Sequence, residues 1–197
     1  MPGVRPLKPL AFAAALAPVV WLALGAWRGW LGANPIEAIT RSTGVWTLRF
    51  MVITLAVTPL RWATGWNDLV RFRRMLGLFA FFYGTLHLLT YLWLDQFFDW
   101  GSIAKDVVKR PFITAGFSAY VLLVPLAITS TAGMIRRLGG RAWRRLHRLA
   151  YVAAALGVVH YWWLVKLDTR PPRNYGVILA VLLAMRIWTS QRRRQTA

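Results

Sequence analysis

Residues 141–166 read RAWRRLHRLAYVAAALGVVHYWWLVK, a basic cluster followed by an almost uncharged apolar run. The cluster carries His147, and the run carries His160. The third histidine of the chain, His87, lies in another apolar run, FFYGTLHLLTYLW (residues 81–93). Ionisable side chains at membrane depth are costly and mark functional sites by default. The two histidines within apolar runs are therefore the first candidates for a functional site.

Long apolar blocks dominate the chain, which has 197 residues, 57% of them hydrophobic, and 12 tryptophans. This composition indicates an all-α polytopic membrane protein, because the blocks are about as long as helices that cross a bilayer. We expect one integral membrane domain over residues 1–197, folded as a six-transmembrane-helix bundle. The predicted spans are residues 10–27, 44–60, 75–94, 111–129, 149–165 and 175–188.

The net charge of +19 would suit nucleic acid, but the lysines and arginines flank the apolar blocks. Flanking basic residues are the usual topology signal of membrane proteins, so we expect contact with membrane lipid and no nucleic-acid partner. The loops on the side of the termini carry roughly twice as many basic residues as the opposite loops, which predicts that both termini are cytoplasmic. The chain has no cysteine, which excludes disulfides and thiolate-ligated metal centres.

The two histidines within apolar runs share a local pattern, Gly84-x-x-His87 and Gly157-x-x-His160. Residues three apart are neighbours on one face of a helix, so each imidazole would have beside it a patch against which a flat macrocycle can lie. Histidine is a standard axial ligand of haem iron, and we predict a haem clamped between the two helices. In the alternative interpretation, both histidines hydrogen-bond to neighbouring helices, and the glycines only allow close packing.

Both histidines are predicted to lie at one depth in the membrane. His87 follows Arg74 by 13 residues, and His160 follows Arg148 by 12 residues. At 1.5 Å per residue these separations are about 20 Å and about 18 Å. Because both spans run outward from the cytoplasm in the predicted topology, we expect the haem site in the outer half of the bilayer.

His147 and Arg49 are further candidates, each with two interpretations. His147 precedes His160 by 13 residues and so lies about 20 Å nearer the cytoplasm. It is either a ligand of a possible second haem or an interfacial histidine among arginines. Arg49 lies near the outer end of the second predicted span and either pairs with a haem propionate or extends to the interface.

Six motifs spread over most of the chain resemble those of a known family. They are LGANPIEAITRSTGVWTLRF (31–50), TPLRW (58–62), RRMLGLFAFFYGTLHLLTY (73–91), KRPFITAGFSAYVLL (109–123), LAITSTAGMIRRLGGRAWRRLHRLAY (126–151) and HYWWLVK (160–166). Together they resemble the MsrQ (YedZ) family, the haem-binding membrane subunit of the bacterial periplasmic methionine sulfoxide reductase system. The resemblance implies haem b, a possible FMN, a quinol-linked electron supply in the bacterial inner membrane, and a periplasmic molybdopterin-containing catalytic partner.

More distantly, the six-span core is similar to the transmembrane domain of ferric reductases and NADPH oxidases. Those proteins hold two stacked haems with two histidines in each of two helices. Here the fifth span and the basic cluster before it supply His147 and His160, whereas the third span offers only His87. The chain therefore departs from the pattern that a second bis-histidine haem requires.

The expected function is electron transfer from the quinol pool to a periplasmic methionine sulfoxide reductase subunit, for the repair of oxidised periplasmic proteins. We expect no substrate-reducing site in this chain, so any soluble donor or acceptor is another polypeptide or a diffusible molecule. Two alternatives stay open. One is a ferric reductase-like electron carrier to a small external acceptor, and the other is a haem-free transporter or assembly factor.

Overall fold

The structure describes residues 7–195, without the side chains of 190 and 192–195. All regular secondary structure in these residues is helical. In this computed structural model the described part forms eight α-helices: α1 Leu7–Arg28, α2 Pro35–Thr64, α3 Val70–Leu89, α4 Trp100–Lys109, α5 Pro111–Ile128, α6 Ala132–Leu146, α7 Leu149–Leu164 and α8 Arg170–Gln195. A 3-10 turn at Asn67–Leu69 precedes α3, and a π-helical segment at Thr90–Asp95 extends it. The terminal residues 1–6 and 196–197, for which we predict a cytoplasmic location, lie outside the described residues.

Local sequence signals explain where several helices begin and end. At the start of α2, the Asn34 side chain accepts a hydrogen bond from the Glu37 N–H at 3.1 Å, which satisfies a free donor of the first turn. The same helix ends at Gly65, whose φ of 68° lies in the left-handed region. At the start of α4, the backbone N–H of Ser102 donates to the Asp99 carboxylate, and this bond lowers the pKa of Asp99.

Helices α2, α3, α5 and α7 form a four-helix ring. α2 packs along α3 and α5 packs along α7, while α3 also contacts α5 and α2 also contacts α7. α3 and α7 therefore lie on one diagonal of the ring. α1 lies against α2 and α3, and α8 lies against α7 and α2. The helices that carry His87 and His160 thus face a shared interior.

Four helical segments in the described residues are long and apolar enough to cross a membrane: Leu7–Arg28, Pro35–Thr64, Asn67–Asp95 and Pro111–Ile128. They correspond to the first four predicted spans, although α2 begins at Pro35 rather than at 44 because the Asn34 cap starts it in the polar segment. α7 is apolar but has only 16 residues, about 24 Å of helix. The all-helical membrane fold is confirmed, whereas the count of six spans and the single domain stay predictions.

Tyr83 joins α1 to the core of the ring near Pro18, which interrupts the hydrogen bonding of α1. The Tyr83 side chain is fully buried, and its ring stacks on Phe50 with centroids 5.4 Å apart. Its hydroxyl donates to the Ala15 carbonyl at 2.8 Å and accepts from the Val19 N–H at 3.1 Å. Beside Pro18, the hydroxyl therefore pairs with one backbone donor and one backbone acceptor of α1.

Tyr83→Phe is expected to lower the free energy of unfolding by about 1–3 kcal/mol, because two buried backbone groups of α1 lose their partner. Thermal unfolding of the purified protein in detergent measures the change. Tyr175→Phe is the matched control, since its hydroxyl makes a single bond to the exposed side chain of Arg49. Equal melting temperatures for Tyr83→Phe and wild type would contradict the bridging role of this hydroxyl.

The most basic stretch of the chain forms α6, which is bent at Gly139. Gly139 has φ 75° and ψ 152°, a conformation that residues with side chains rarely adopt. Ile135 and Leu146 are partly buried, whereas the arginines of the helix are exposed: Arg136, Arg137, Arg141, Arg144 and Arg145. An apolar face and a basic face on one helix are typical of a helix that lies at a membrane surface.

Candidate functional site

His87 on α3 and His160 on α7 face each other across the diagonal of the four-helix ring. Their ring centroids are 6.0 Å apart, and their planes make an angle of 74°. Both side chains are partly buried, and both residues lie in the C-terminal turns of their helices, at one end of the ring. The structure therefore brings together His87 and His160, the two histidines that are predicted to lie at the same depth in the membrane.

Each of the two imidazoles is oriented by a backbone carbonyl from a neighbouring helix. His87 Nδ1 lies 2.9 Å from the Thr40 oxygen on α2, and His160 Nδ1 lies 2.6 Å from the Phe112 oxygen on α5. A carbonyl oxygen can only accept, so Nδ1 is the donor in both rings. A neutral imidazole that donates through Nδ1 has a free lone pair on Nε2. Metal-ligating histidines commonly hold their second nitrogen in this way.

The distance between the two rings fits a metal held by both imidazoles. An imidazole nitrogen lies about 2 Å from a metal that it ligates, so two imidazoles on opposite sides of one metal have centroids about 6.4 Å apart. The observed 6.0 Å is close to this value. Within residues 7–195, no three His, Cys, Asp or Glu side chains converge on a metal position. A metal with two protein ligands takes its other donors from solvent or from a cofactor, and haem iron takes them from the porphyrin.

Two glycines that the sequence analysis missed give the imidazoles their space. A methyl group on Gly44 of α2 would lie 3.0 Å from His87 Cε1, and one on Gly116 of α5 would lie 2.7 Å from His160 Nδ1. Carbon atoms of real side chains rarely come this close, so each ring packs directly on a helix backbone. The sequence shows Gly44 and Gly116 only as isolated glycines in two helices. It does not show which histidine each glycine contacts.

Comparison with known proteins places the chain in a family. The model of the family described as "Ferric reductase like transmembrane component" matches residues 43–158. A protein of Herminiimonas arsenicoxydans is 59% identical over 195 residues, which cover 98% of this chain and 89% of that protein. A protein of Rhodospirillum rubrum is 56% identical over 185 residues, which cover 94% of this chain and 89% of that protein. Both carry the name protein-methionine-sulfoxide reductase heme-binding subunit MsrQ.

The chain belongs to the MsrQ family. The resemblance that the motifs indicate is thereby confirmed, and so is the ferric reductase-like transmembrane domain. A third MsrQ relative, from Azospira oryzae, is 55% identical over 182 residues, which cover 92% of this chain and 78% of that protein. No solved structure matches the chain significantly.

Gly84 and Gly157, the glycines of the shared pattern in this MsrQ-family chain, face neighbouring helices. A methyl group on Gly84 would lie 3.5 Å from Thr47 Cγ2 and 3.6 Å from a ring carbon of Tyr120. One on Gly157 would lie 3.6 Å from Leu48 Cδ1. These are ordinary van der Waals distances, so an alanine fits at either position. A contact of either glycine with a cofactor stays a prediction.

Arg49 lies on the exposed side of α2, one to two turns beyond Gly44. Its Nε donates to the Tyr175 hydroxyl at 3.2 Å, and its guanidinium lies 4.6 Å from the centroid of the Trp46 ring. The same face of α2 borders an open cavity of about 510 Å³, to which Arg41 also contributes. Two arginines at one cavity can receive an anionic group, so propionate binding and extension to the interface both stay open.

His147 lies where α6 ends, away from the other two histidines. Its ring stacks on Trp143 with centroids 3.9 Å apart, and its Nε2 lies 3.1 Å from Thr129 Oγ1. The Thr129 hydroxyl donates its single hydrogen to the Pro125 carbonyl at 2.6 Å, so His147 Nε2 is the donor to it. Burial and the nearby Arg73 lower the pKa of His147. A neutral His147 thus ties α6 to α5, and ligation of a second haem through Nε2 would require it to leave Thr129.

Proposed function

We propose that this MsrQ-family chain is a b-type cytochrome subunit, which carries electrons from the quinol pool to a periplasmic, molybdopterin-containing methionine sulfoxide reductase subunit. The observation that supports it best is the pair of imidazoles 6.0 Å apart, each oriented through Nδ1 by a backbone carbonyl. The relatives named as haem-binding subunits add support. A haem bound here supplies one-electron transfer.

The residues of this chain have distinct roles in the proposal. Nε2 of His87 and Nε2 of His160 would hold the haem iron. The Thr40 and Phe112 carbonyls bind Nδ1 of the two rings, which leaves each Nε2 lone pair free for the iron. Arg49 is the candidate partner of a propionate. Further predicted contacts are Gly84 and Gly157 beside the cofactor and His147 at a possible second haem. The possible FMN rests on the resemblance alone.

The position of the two histidines supports an outward direction of electron transfer. Both lie near the C-terminal ends of α3 and α7. Arg74, near the start of α3, and Arg148, just before α7, mark the opposite end. In the proposed topology, six spans cross the bacterial inner membrane and both termini are cytoplasmic, because the loops on that side hold the excess of basic residues. The histidine pair then lies near the periplasmic face, where an external catalytic subunit can dock.

A topology reporter fused after Ala104 in α4 is expected to report a periplasmic location. The proposed topology places α4 and its flanking loops outside, since they follow the third span. A fusion at Gly139 in α6 is the matched control and should report the cytoplasm. A cytoplasmic signal at Ala104 would overturn the orientation and, with it, the periplasmic placement of the histidine pair.

The functional test uses membranes in which the haem has been reduced chemically. Addition of the purified periplasmic reductase together with a methionine sulfoxide peptide should reoxidise the haem, whereas either addition alone should not. A ferric reductase-like carrier, which the matching family model favours as second candidate, predicts instead rapid reoxidation by ferric chelates and no dependence on the reductase. Absence of any haem from the purified protein would favour the transporter or assembly-factor alternative.

A further inference from the structure

A groove of about 700 Å³ runs between α1 and α3 on the outside of the bundle. Its walls are apolar and include Phe12, Leu78 and Phe82, which are 50%, 40% and 37% exposed. The volume lies within the range of about 300–1,000 Å³ that is usual for small-molecule sites. The groove is therefore large enough to hold part of an amphiphile, and its lining is apolar enough to hold a hydrocarbon chain.

One end of the groove is basic. Lys8 precedes Phe12 by one turn of α1, and Arg74 precedes Leu78 by one turn of α3, so the apolar walls begin about 6 Å beyond the charges. Arg71 also borders this end, but its Nε pairs with Asp68 at 3.0 Å. Lys8 and Arg74 form no ion pair within the described residues. Two cations without a counter-charge thus lie at the mouth of an apolar channel.

We propose that this groove binds one anionic glycerophospholipid, with its phosphate between Lys8 and Arg74 and an acyl chain along Phe12, Leu78 and Phe82. Charge and shape select this occupant. Phosphate forms charge-assisted hydrogen bonds with both cations, and a hydrocarbon chain fills the apolar channel without an unmet polar group. A neutral quinone leaves the cations without a counter-charge. A second copy of this chain, with its net charge of +19, supplies no net negative charge to neutralise the two cations.

The bound lipid would brace α1 against α3. Deeper in the bundle these helices are held by the Tyr83 hydroxyl, which bonds to Ala15 and Val19. Nearer the basic end, Phe12 meets Phe79 edge-on, with centroids 5.2 Å apart, and the groove opens beside this contact. The lipid occupies the space that the two helices leave unfilled.

Native mass spectrometry of the purified full chain with phosphatidylglycerol or phosphatidylcholine of equal acyl chains tests the proposal. We expect one phosphatidylglycerol bound in preference to phosphatidylcholine. Lys8→Gln/Arg74→Gln should weaken phosphatidylglycerol binding roughly 25-fold, since each basic residue near an anionic headgroup contributes about fivefold. Arg136→Gln/Arg137→Gln is the matched control, because it removes two exposed charges from α6, outside the groove, and should leave the affinity unchanged.

Leu78→Trp provides an independent arm, because it fills the groove and keeps both charges. We expect it to lower the occupancy of either lipid while the melting temperature stays within a few degrees of wild type. Equal binding of the two lipids would overturn the proposal, and so would an equal loss in the α6 control. Displacement of the phosphatidylglycerol by a short-chain ubiquinone, or a bound species with the mass of a second chain, would assign the groove to another occupant and also overturn it.

Discussion

His87→Ala and His160→Ala are each expected to remove the haem from the purified protein, so that the Soret absorbance per chain falls to a small fraction of the wild-type value. Each substitution deletes one of the two imidazoles, whose ring centroids lie 6.0 Å apart. Loss of a group that hydrogen-bonds to a metal ligand already lowers metal affinity about 10- to 100-fold. Loss of the ligand itself should therefore lower haem affinity further. A pyridine haemochrome assay on protein of known concentration measures the ratio of haem to chain.

The same assay separates ligation from folding. The apo variants should remain monodisperse in detergent, since neither imidazole is part of the core formed around Phe50, Phe79 and Tyr83. Added imidazole should partly restore the haem absorbance, because it can supply the missing nitrogen. Full haem retention in either variant would reject the pairing and favour two histidines that only hydrogen-bond to neighbouring helices.

Gly116→Ala is expected to lower haem affinity about 10- to 100-fold. This is the usual effect of losing the hydrogen bond that orients a metal-ligating histidine. The new methyl group would lie 2.7 Å from His160 Nδ1, so the ring must move and give up its 2.6 Å hydrogen bond to the Phe112 carbonyl. Gly44→Ala should have a smaller effect, because its methyl group would lie 3.0 Å from His87 Cε1. Haem titration of the apo protein gives the dissociation constants.

Gly77→Ala is the matched control for Gly116→Ala, because Gly77 has no proposed contact with the cofactor and a methyl group on it would meet neither histidine. It places the same methyl group on α3, 3.7 Å from Thr54 Cγ2, which is an ordinary contact. Its haem affinity and melting temperature should equal those of wild type. Equal haem affinities for Gly116→Ala and Gly77→Ala would show that the His160 ring does not depend on the α5 backbone.

The class of fold could be predicted from the sequence, because a helix that crosses the apolar bilayer core must be a long apolar segment. The charged residues then lie at the ends of these segments. The sequence also predicts that His87 and His160 lie at a similar depth. Each follows an arginine at the cytoplasmic end of its predicted span, Arg74 or Arg148, by a similar number of residues, and the two spans run in the same direction. The sequence predicts the second span at 44–60, whereas α2 begins at Pro35, because hydropathy detects the apolar part of a helix and not its polar first turns.

The environment of the two rings could not be predicted from the sequence. Gly44 lies 43 residues before His87, and Gly116 lies 44 residues before His160. Which glycine each ring meets depends on how α2 packs along α3 and α5 along α7. The Thr40 and Phe112 carbonyls carry no sequence signal at all, since every residue has a backbone oxygen. The position of Tyr83 between Ala15 and Val19 likewise depends on the crossing of α1 and α3.

Electron paramagnetic resonance of the oxidised, purified wild-type protein tests most directly the central claim that His87 and His160 together ligate one haem iron. Two axial imidazoles predict a low-spin ferric signal. Because the ring planes make an angle of 74°, we expect the strongly anisotropic form that near-perpendicular imidazoles produce, and the signal should persist in His147→Ala. A spectrum that contains only high-spin ferric iron, as expected for haem with a single axial ligand, would contradict the claim.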